Sequence, residues 1–249
     1  MSGPGVAHEF WLEPSDYQPA RSRKLTITHR NGQFFKGNSY PYLREWFDRF
    51  ELWDARGRRA VKGVDGDDPA ARIGPLTAGV TVVAYQSRND SVTFKTWKEF
   101  RSYLADEGLE HIEAQHVALK LPLAGIAEHY IRCAKTLIRV DGAPLADRHF
   151  GMPVELLVER VELVSGDDAK VEVRLLHDGK PAREALVKVF RGKAPRDVLR
   201  LRTNGEGRVV VRLARADTYL LNAVVMRPPK AGMKEHWLSL WASTTFSLK

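Results

Sequence analysis

Short runs in which apolar and polar side chains alternate recur along the chain, each closed by turn formers. Leu25-Thr26-Ile27-Thr28-His29 runs into Asn31-Gly32, and Gly32 to Asn38 repeats the same punctuation. Phe50-Glu51-Leu52-Trp53 ends at Asp54-Ala55-Arg56-Gly57, and the β-branched run Val80 to Tyr85 ends at Arg88-Asn89-Asp90. A period of two bounded by Gly, Asn and Asp predicts half-buried strands joined by tight turns. Two stretches break that period. Trp97, Phe100, Tyr103 and Leu104 fall on one face of a 3.6-residue repeat, which predicts a helix over 96–107 that stops at Gly108. Leu123, Ile126, Tyr130 and Cys133 predict a second helix over 123–135. Its polar side carries Glu128, His129, Arg132 and Lys135, with Glu128 and Arg132 spaced for an i,i+4 ion pair.

Residues 141–153 are rich in Gly, Pro and Asp and interrupt both periods, which marks a domain boundary. Beyond it the pattern is all β. Lys170 to Leu175 alternates before Asp178-Gly179, and runs follow at 185–190, 199–202, 208–213, 219–225 and 237–248. About seven short strands in roughly a hundred residues fit an immunoglobulin-like sandwich. The fold class is therefore mainly β, with two β-sandwich (immunoglobulin-like) domains. The first spans 8–145 with one or two inserted helices near 96–107 and 123–135, and the second spans 150–249. Residues 1–7 read as a leader remnant in front of them.

Composition changes this picture little. A 249-residue chain that is 43% hydrophobic and 28% charged is ordinary globular material, and no apolar run is long enough for a transmembrane segment. The lone cysteine, Cys133, reads as a buried small apolar side chain. The net charge of +8 is uneven: residues 1–150 hold 21 Lys and Arg against 19 Asp and Glu, and residues 151–249 hold 18 against 12. Lys188, Arg191, Lys193, Arg196, Arg200, Arg202, Arg208, Arg212 and Arg215 would form a solvated basic face. They are interleaved with aliphatic residues rather than the aromatics of a base-stacking platform, which argues against nucleic acid as a partner.

The common enzyme motifs do not occur: there is no Gly-x-Ser-x-Gly, phosphate loop, dinucleotide fingerprint or His-Glu-x-x-His. No catalytic residue is assigned. Eight histidines leave metal binding as the chemistry with a physical case. His111 and His116 are five apart, about 140° around a helix, and would not share a face. His29 and His177 sit at strand-to-turn junctions, where a surface imidazole needs no special role. His8 differs. If Gly5-Val6-Ala7 ends a cleavage site, the new amine and the His8 imidazole make a nitrogen chelate suited to copper or nickel, with further ligands from elsewhere in the fold.

The chain also resembles a known group, the NikM-like family of domains of unknown function once described as the periplasmic component of a nickel or cobalt ABC transport system. The resemblance is carried by Ala7-His8-Glu9-Phe10-Trp11-Leu12-Glu13-Pro14 and by Phe100 to Gly108. Further pieces are Glu128 to Leu137, the Asp178-Gly179-Lys180-Pro181 turn, Thr203 to Gly207 and Trp237 to Phe246. It implies an exported periplasmic protein with a β-rich two-part body and a role in handling nickel, cobalt or copper. Its implied partners are a membrane transporter or another envelope component, and His8 is the one metal ligand that carries over. The expected function is thus a non-catalytic periplasmic binding or accessory protein. Two alternatives stand beside it. One is an envelope adhesion or assembly sandwich that meets a polyanion or partner protein through Arg200, Arg202, Arg208 and Arg212. The other is a copper-dependent oxidative enzyme, which needs a second histidine facing His8.

Overall fold

A computed structural model describes residues 8–164, 166–228 and 234–248, so the expected leader over 1–7 lies outside the described residues. The alternating runs form strands β1 (Glu9–Pro14), β2 (Leu25–Gln33), β3 (Lys36–Tyr40), β4 (Phe47–Asp54), β5 (Gly57–Ala60), β6 (Ala71–Ile73), β7 (Gly79–Ser87) and β8 (Asp90–Thr96). Helices α1 (Trp97–Glu107) and α2 (His111–Ala118) follow, then the long strand β9 (Ala124–Val140). The remainder is β10 (Val154–Leu163), β11 (Asp168–His177), β12 (Lys180–Pro181), β13 (Leu186–Arg191), β14 (Leu199–Arg202), β15 (Arg208–Ala214), β16 (Thr218–Arg227) and β17 (Trp237–Ser247).

These strands make three sheets. The central one runs β14-β13-β16-β17-β9-β7-β4-β5, with β8 also paired to β9. It is antiparallel except at its middle, where β17 lies parallel to β9 from Trp237 opposite Glu128 to Thr245 opposite Thr136. Two four-stranded sheets cover it. In one, β2 holds β1 on one side and β3 and β6 on the other; in the second, β11 holds β10 on one side and β12 and β15 on the other.

The side-chain period of two on β9 explains the layering. Cys133 and Leu137 join the core shared with Val154, Val171 and Val211, while Ala134 and Ile138 join the core shared with Phe10, Ile27 and Ile73. Two sandwiches therefore share one sheet. The turn-rich stretch 141–153 is where the chain leaves the central sheet, and β17 then returns from beyond it to pair with β9.

Helix α1 matches its expected span. Thr96 Oγ1 accepts from the Glu99 backbone N–H at 3.2 Å, and Glu99 Oε2 accepts from the Lys95 N–H at 2.9 Å. These bonds satisfy donors that a helix start leaves open. Gly108 ends the helix at φ +70°, and a Cβ there would come within 2.6 Å of Leu186 Cβ, so both conformation and space require glycine. Phe100, Tyr103 and Leu104 are buried as the helical stripe predicted.

The helix expected over 123–135 is instead the strand β9. Both faces of β9 are covered and every residue from Cys133 to Ile138 is buried, so its apolar positions do not alternate. A strand buried on both faces loses the period of two and can fit a helical stripe by chance. The Glu128–Arg132 pair expected on that helix does not form, because the two residues find other surroundings described below. Cys133 is buried as expected, and burial pushes its thiol up to about 12.

Candidate functional site: an aromatic cleft around Arg132

A cleft of about 440 Å³ opens at one end of the space between the β1–β2–β3 sheet and the central sheet. Register brings its parts together. Phe10 on β1 lies directly opposite Asn31 on β2, and His29, two residues back on the same face of β2, lies opposite Tyr40 on β3. From the central sheet come Tyr85 and Ser87, two apart on β7, and Tyr130 and Arg132, two apart on β9. The Arg132 backbone N–H donates to Ser87 Oγ at 2.9 Å, which ties the two strands together just past the last Gln86–Cys133 pair of their ladder.

His29 is 3% exposed and sits among rings, with centroids 4.8 Å from Tyr85, 5.1 Å from Phe50 and 5.7 Å from Phe10. Burial lowers its pKa to about 4, with the Pro41 carbonyl and Asp68 acting the other way, so the ring is neutral at pH 7. Its Nε2 is buried without a hydrogen-bond partner, and so is Asn31 Oδ1. A buried polar atom left in this state costs about 1–3 kcal/mol, which a ligand can recover.

Arg132 is the charged member. Its guanidinium carbon lies 4.6 Å from the Tyr130 ring centre and 5.7 Å from that of Phe10. Aromatic faces therefore hold the cation. Its Nε is buried and unpartnered, and no carboxylate among the described residues forms an ion pair with it. The Tyr130 hydroxyl donates to Asp90, and burial raises Tyr130 to about 12 despite the opposing pull of Arg132. Burial likewise raises Tyr85. Both phenols keep their protons at physiological pH. Glu45, Arg88 and Asp90 stand at the mouth, where Arg88 pairs with Asp48 at 3.3 Å.

A model of a family of domains of unknown function, DUF4198, matches residues 6–227, which takes in every residue of this cleft. The chain belongs to that family. A search of the curated proteins finds no match. In this DUF4198 chain the matched range ends at the last residue of β16, before β17.

The residues singled out in the sequence are scattered by the fold. His8 is exposed at the entrance to β1, in a second recess with Gln33, Phe34, Lys36, Arg196 and Asp197. No other histidine lines that recess, and its one carboxylate, Asp197, already pairs with Arg191 at 3.1 Å. Partial burial and the charge of Arg132 both lower the His8 pKa. That keeps the imidazole neutral, but a guanidinium close enough to do so also repels a metal cation. No three His, Cys, Asp or Glu side chains among the described residues group as a metal-holding set. Among the described residues the His8 imidazole has no second histidine and no free carboxylate beside it.

His116 is fully buried, its Nε2 2.9 Å from the Pro122 carbonyl and its Nδ1 accepting from Trp237 Nε1 at 2.9 Å, while His111 is exposed. They do not meet, as their spacing predicted.

Four of the expected surroundings need correction. His29 is a core residue rather than a surface one, because Leu25, Ile27 and His29 share the inward face of β2. That signal was present in the alternation itself. Lys188 is not on a solvated face: at 2% exposure its Nζ bonds Glu107 at 2.7 Å, with Glu9 and Asp106 at 3.4 Å. The basic face is also largely matched from within the chain, since Arg200 pairs with Asp106, Arg202 with Glu110 and Arg208 with Glu159 and Glu172. Finally, Glu128, Arg132 and Lys135 part company. Glu128 is buried against α1 and β17, Arg132 enters the cleft, and Lys135 points to the opposite side of the sheet.

Proposed function

We propose that this DUF4198 protein is an exported, periplasmic, non-catalytic binding protein whose ligand occupies the Arg132 cleft. The observation that carries the reading is that three residues lining one aromatic-walled recess, His29, Asn31 and Arg132, each hold a buried polar atom without a hydrogen-bond partner. A pocket lined mostly by rings, with a few polar groups placed to orient what enters, is the usual form of a small-molecule site. Neutral His29 and protonated Tyr85 and Tyr130 supply fixed hydrogen-bonding groups around Arg132. The exported placement is supported by the family resemblance that Ala7–Pro14 carries.

The test is a thermal-shift screen of small metabolites against the wild-type protein, Arg132→Gln and Asn31→Phe. Compounds that stabilise the wild type should lose their effect in both variants. Compounds that shift all three proteins equally would remove the cleft as the binding site.

Nickel, cobalt or copper handling rests on the neutral imidazole of His8 alone, and the cleft offers more unmatched chemistry than the recess at His8. Calorimetric titration of nickel and copper against wild type and His8→Ala separates the two. Equal and weak affinity in both proteins is expected; an affinity lost in His8→Ala would restore the metal reading.

A further inference from the structure

Resting on the reading of the Arg132 cleft as the ligand site, we infer that its ligand is a flat aromatic monocarboxylate that carries a hydroxyl or amino donor on the ring. Three features of the cleft set this chemistry.

Charge comes first. Arg132 is the cation without a carboxylate partner, and its planar fork matches a carboxylate through two parallel N–H···O bonds. The other basic groups do not add to it: His29 is neutral at pH 7, and Arg88 is paired with Asp48. Glu45 and Asp90 at the mouth repel any second negative charge. One guanidinium without a carboxylate partner, with Glu45 and Asp90 nearby, matches a monoanion better than a phosphate dianion.

Shape comes second. Phe10, Tyr85 and Tyr130 wall the cleft, and Tyr40 and Trp46, with ring centres 6.3 Å apart, flank its opening. Rings favour a flat partner that can stack or meet them edge to face. Guanidinium stacking on Tyr130 and Phe10 also holds the Arg132 fork before the ligand arrives, so little ordering is required on binding.

Hydrogen bonding comes third. Asn31 Oδ1 is an acceptor with no donor, opposite Phe10 on the adjoining strand, and the neutral His29 ring on the same face of β2 offers Nε2. A ring hydroxyl or amine supplies the donor that Asn31 lacks. A ligand without it leaves that acceptor buried and unmatched.

Four probes separate these terms by calorimetry at pH 7: 4-hydroxybenzoate, benzoate, 4-hydroxybenzyl alcohol and inorganic phosphate. 4-Hydroxybenzoate should bind most tightly. Benzoate should be weaker by about tenfold for the lost donor, and the alcohol by about a hundredfold for the lost charge. Phosphate should not bind. Arg132→Gln should reduce 4-hydroxybenzoate to the level of the alcohol, and Arg132→Lys should recover part of the loss because charge returns without the fork. Asn31→Leu should erase the difference between 4-hydroxybenzoate and benzoate. Circular dichroism and unchanged melting of each variant exclude misfolding as the cause. Equal binding of the alcohol and the acid, tighter binding of phosphate, or no binding of any aromatic probe would overturn the inference. The screen under Proposed function stands apart: hits of other chemistry that depend on Arg132 would keep the cleft as the site while ending the aromatic carboxylate.

Discussion

Lys135→Met is expected to destabilise the protein by about 3–5 kcal/mol at pH 7.5, read by urea denaturation, because it strands two buried carboxylates. The Lys135 ammonium is 1% exposed and donates to both oxygens of Asp147, at 2.8 and 2.9 Å, and to the Arg148 carbonyl at 3.2 Å, with Glu155 at 3.6 Å. The acids are 2% and 0% exposed. Asp147 also accepts from the Val158 N–H, and Glu155 from the N–H groups of Phe150 and Met152. This cluster pins the turn-rich crossing between β9 and β10 onto the central sheet. Burial raises the Asp147 carboxyl, with Lys135 as the main opposing influence, so loss of the ammonium leaves desolvation unopposed. The triple variant Lys135→Met, Asp147→Asn, Glu155→Gln should regain most of the loss, since neutral partners carry no uncompensated charge. A loss below about 1 kcal/mol in the single variant would show that the cluster is open to water.

The second large effect is a fall in stability above neutral pH that originates at Glu128. Burial raises this carboxyl from 4.5 to about 8; hydrogen bonds from Ser239 and Tyr103 act against the rise, and Glu107 adds to it. Its Oε1 accepts from Tyr103 Oη at 3.1 Å and from Ser239 Oγ, which in turn accepts from Trp241 Nε1 at 2.9 Å, while Oε2 has no partner. The folded state thus binds a proton that the unfolded chain has already lost above its ordinary carboxylate range. Stability must decrease as pH rises from 4.5 toward 8. From pH 6.5 to 8 the change is about 2 kcal/mol, or roughly 4–8 °C in melting temperature for a chain of this size. Glu107, raised to about 7 mainly by burial, has the same sign. Below pH 6.5 the lowered His29 works in the opposite direction, because its unfolded form takes up a proton first. Between pH 4.5 and 6.5 it offsets one of the two raised carboxyls, so the fall in stability is shallower there than just above pH 6.5. Glu128→Gln keeps an acceptor for Tyr103 and Ser239 and should flatten the alkaline limb, melting higher than wild type at pH 8.5. An unchanged limb would place its source elsewhere.

Much of the fold could be read from the sequence where one face of an element meets water. Alternation marked β2, β4, β11 and β15, and the aromatic stripe with its Gly108 stop marked α1. It failed where both faces are covered. In β9 the inward and outward residues are all apolar from Cys133 to Ile138 apart from Lys135 and Thr136, so nothing distinguishes the sides. The shared central sheet was hidden for a related reason. Pairing of β17 with β9 is a long-range fact with no local signature, and the turn-rich stretch between them reads as a domain end. The cleft was half visible. The alternation of Leu25, Ile27 and His29 carried the inward register of β2 although His29 was read as a surface imidazole, whereas Arg132 took its meaning only once β9 was a strand, with Tyr130 beside it on the same face. His8 is marked by its neighbours in sequence, and its neighbours in space include the cations Lys36, Arg196 and Arg132.

The parallel contact of β17 with β9 also sets the order in which the molecule can be completed. The middle of the central sheet joins segments separated by most of the second sandwich, with Trp237 opposite Glu128, so closing it requires a long loop to be ordered first. Until residues 237–247 are available, β9 and β16 each lack the neighbour that lies between them. The two halves of the central sheet are therefore joined through one strand, whose ladders to β16 and to β9 close the midline.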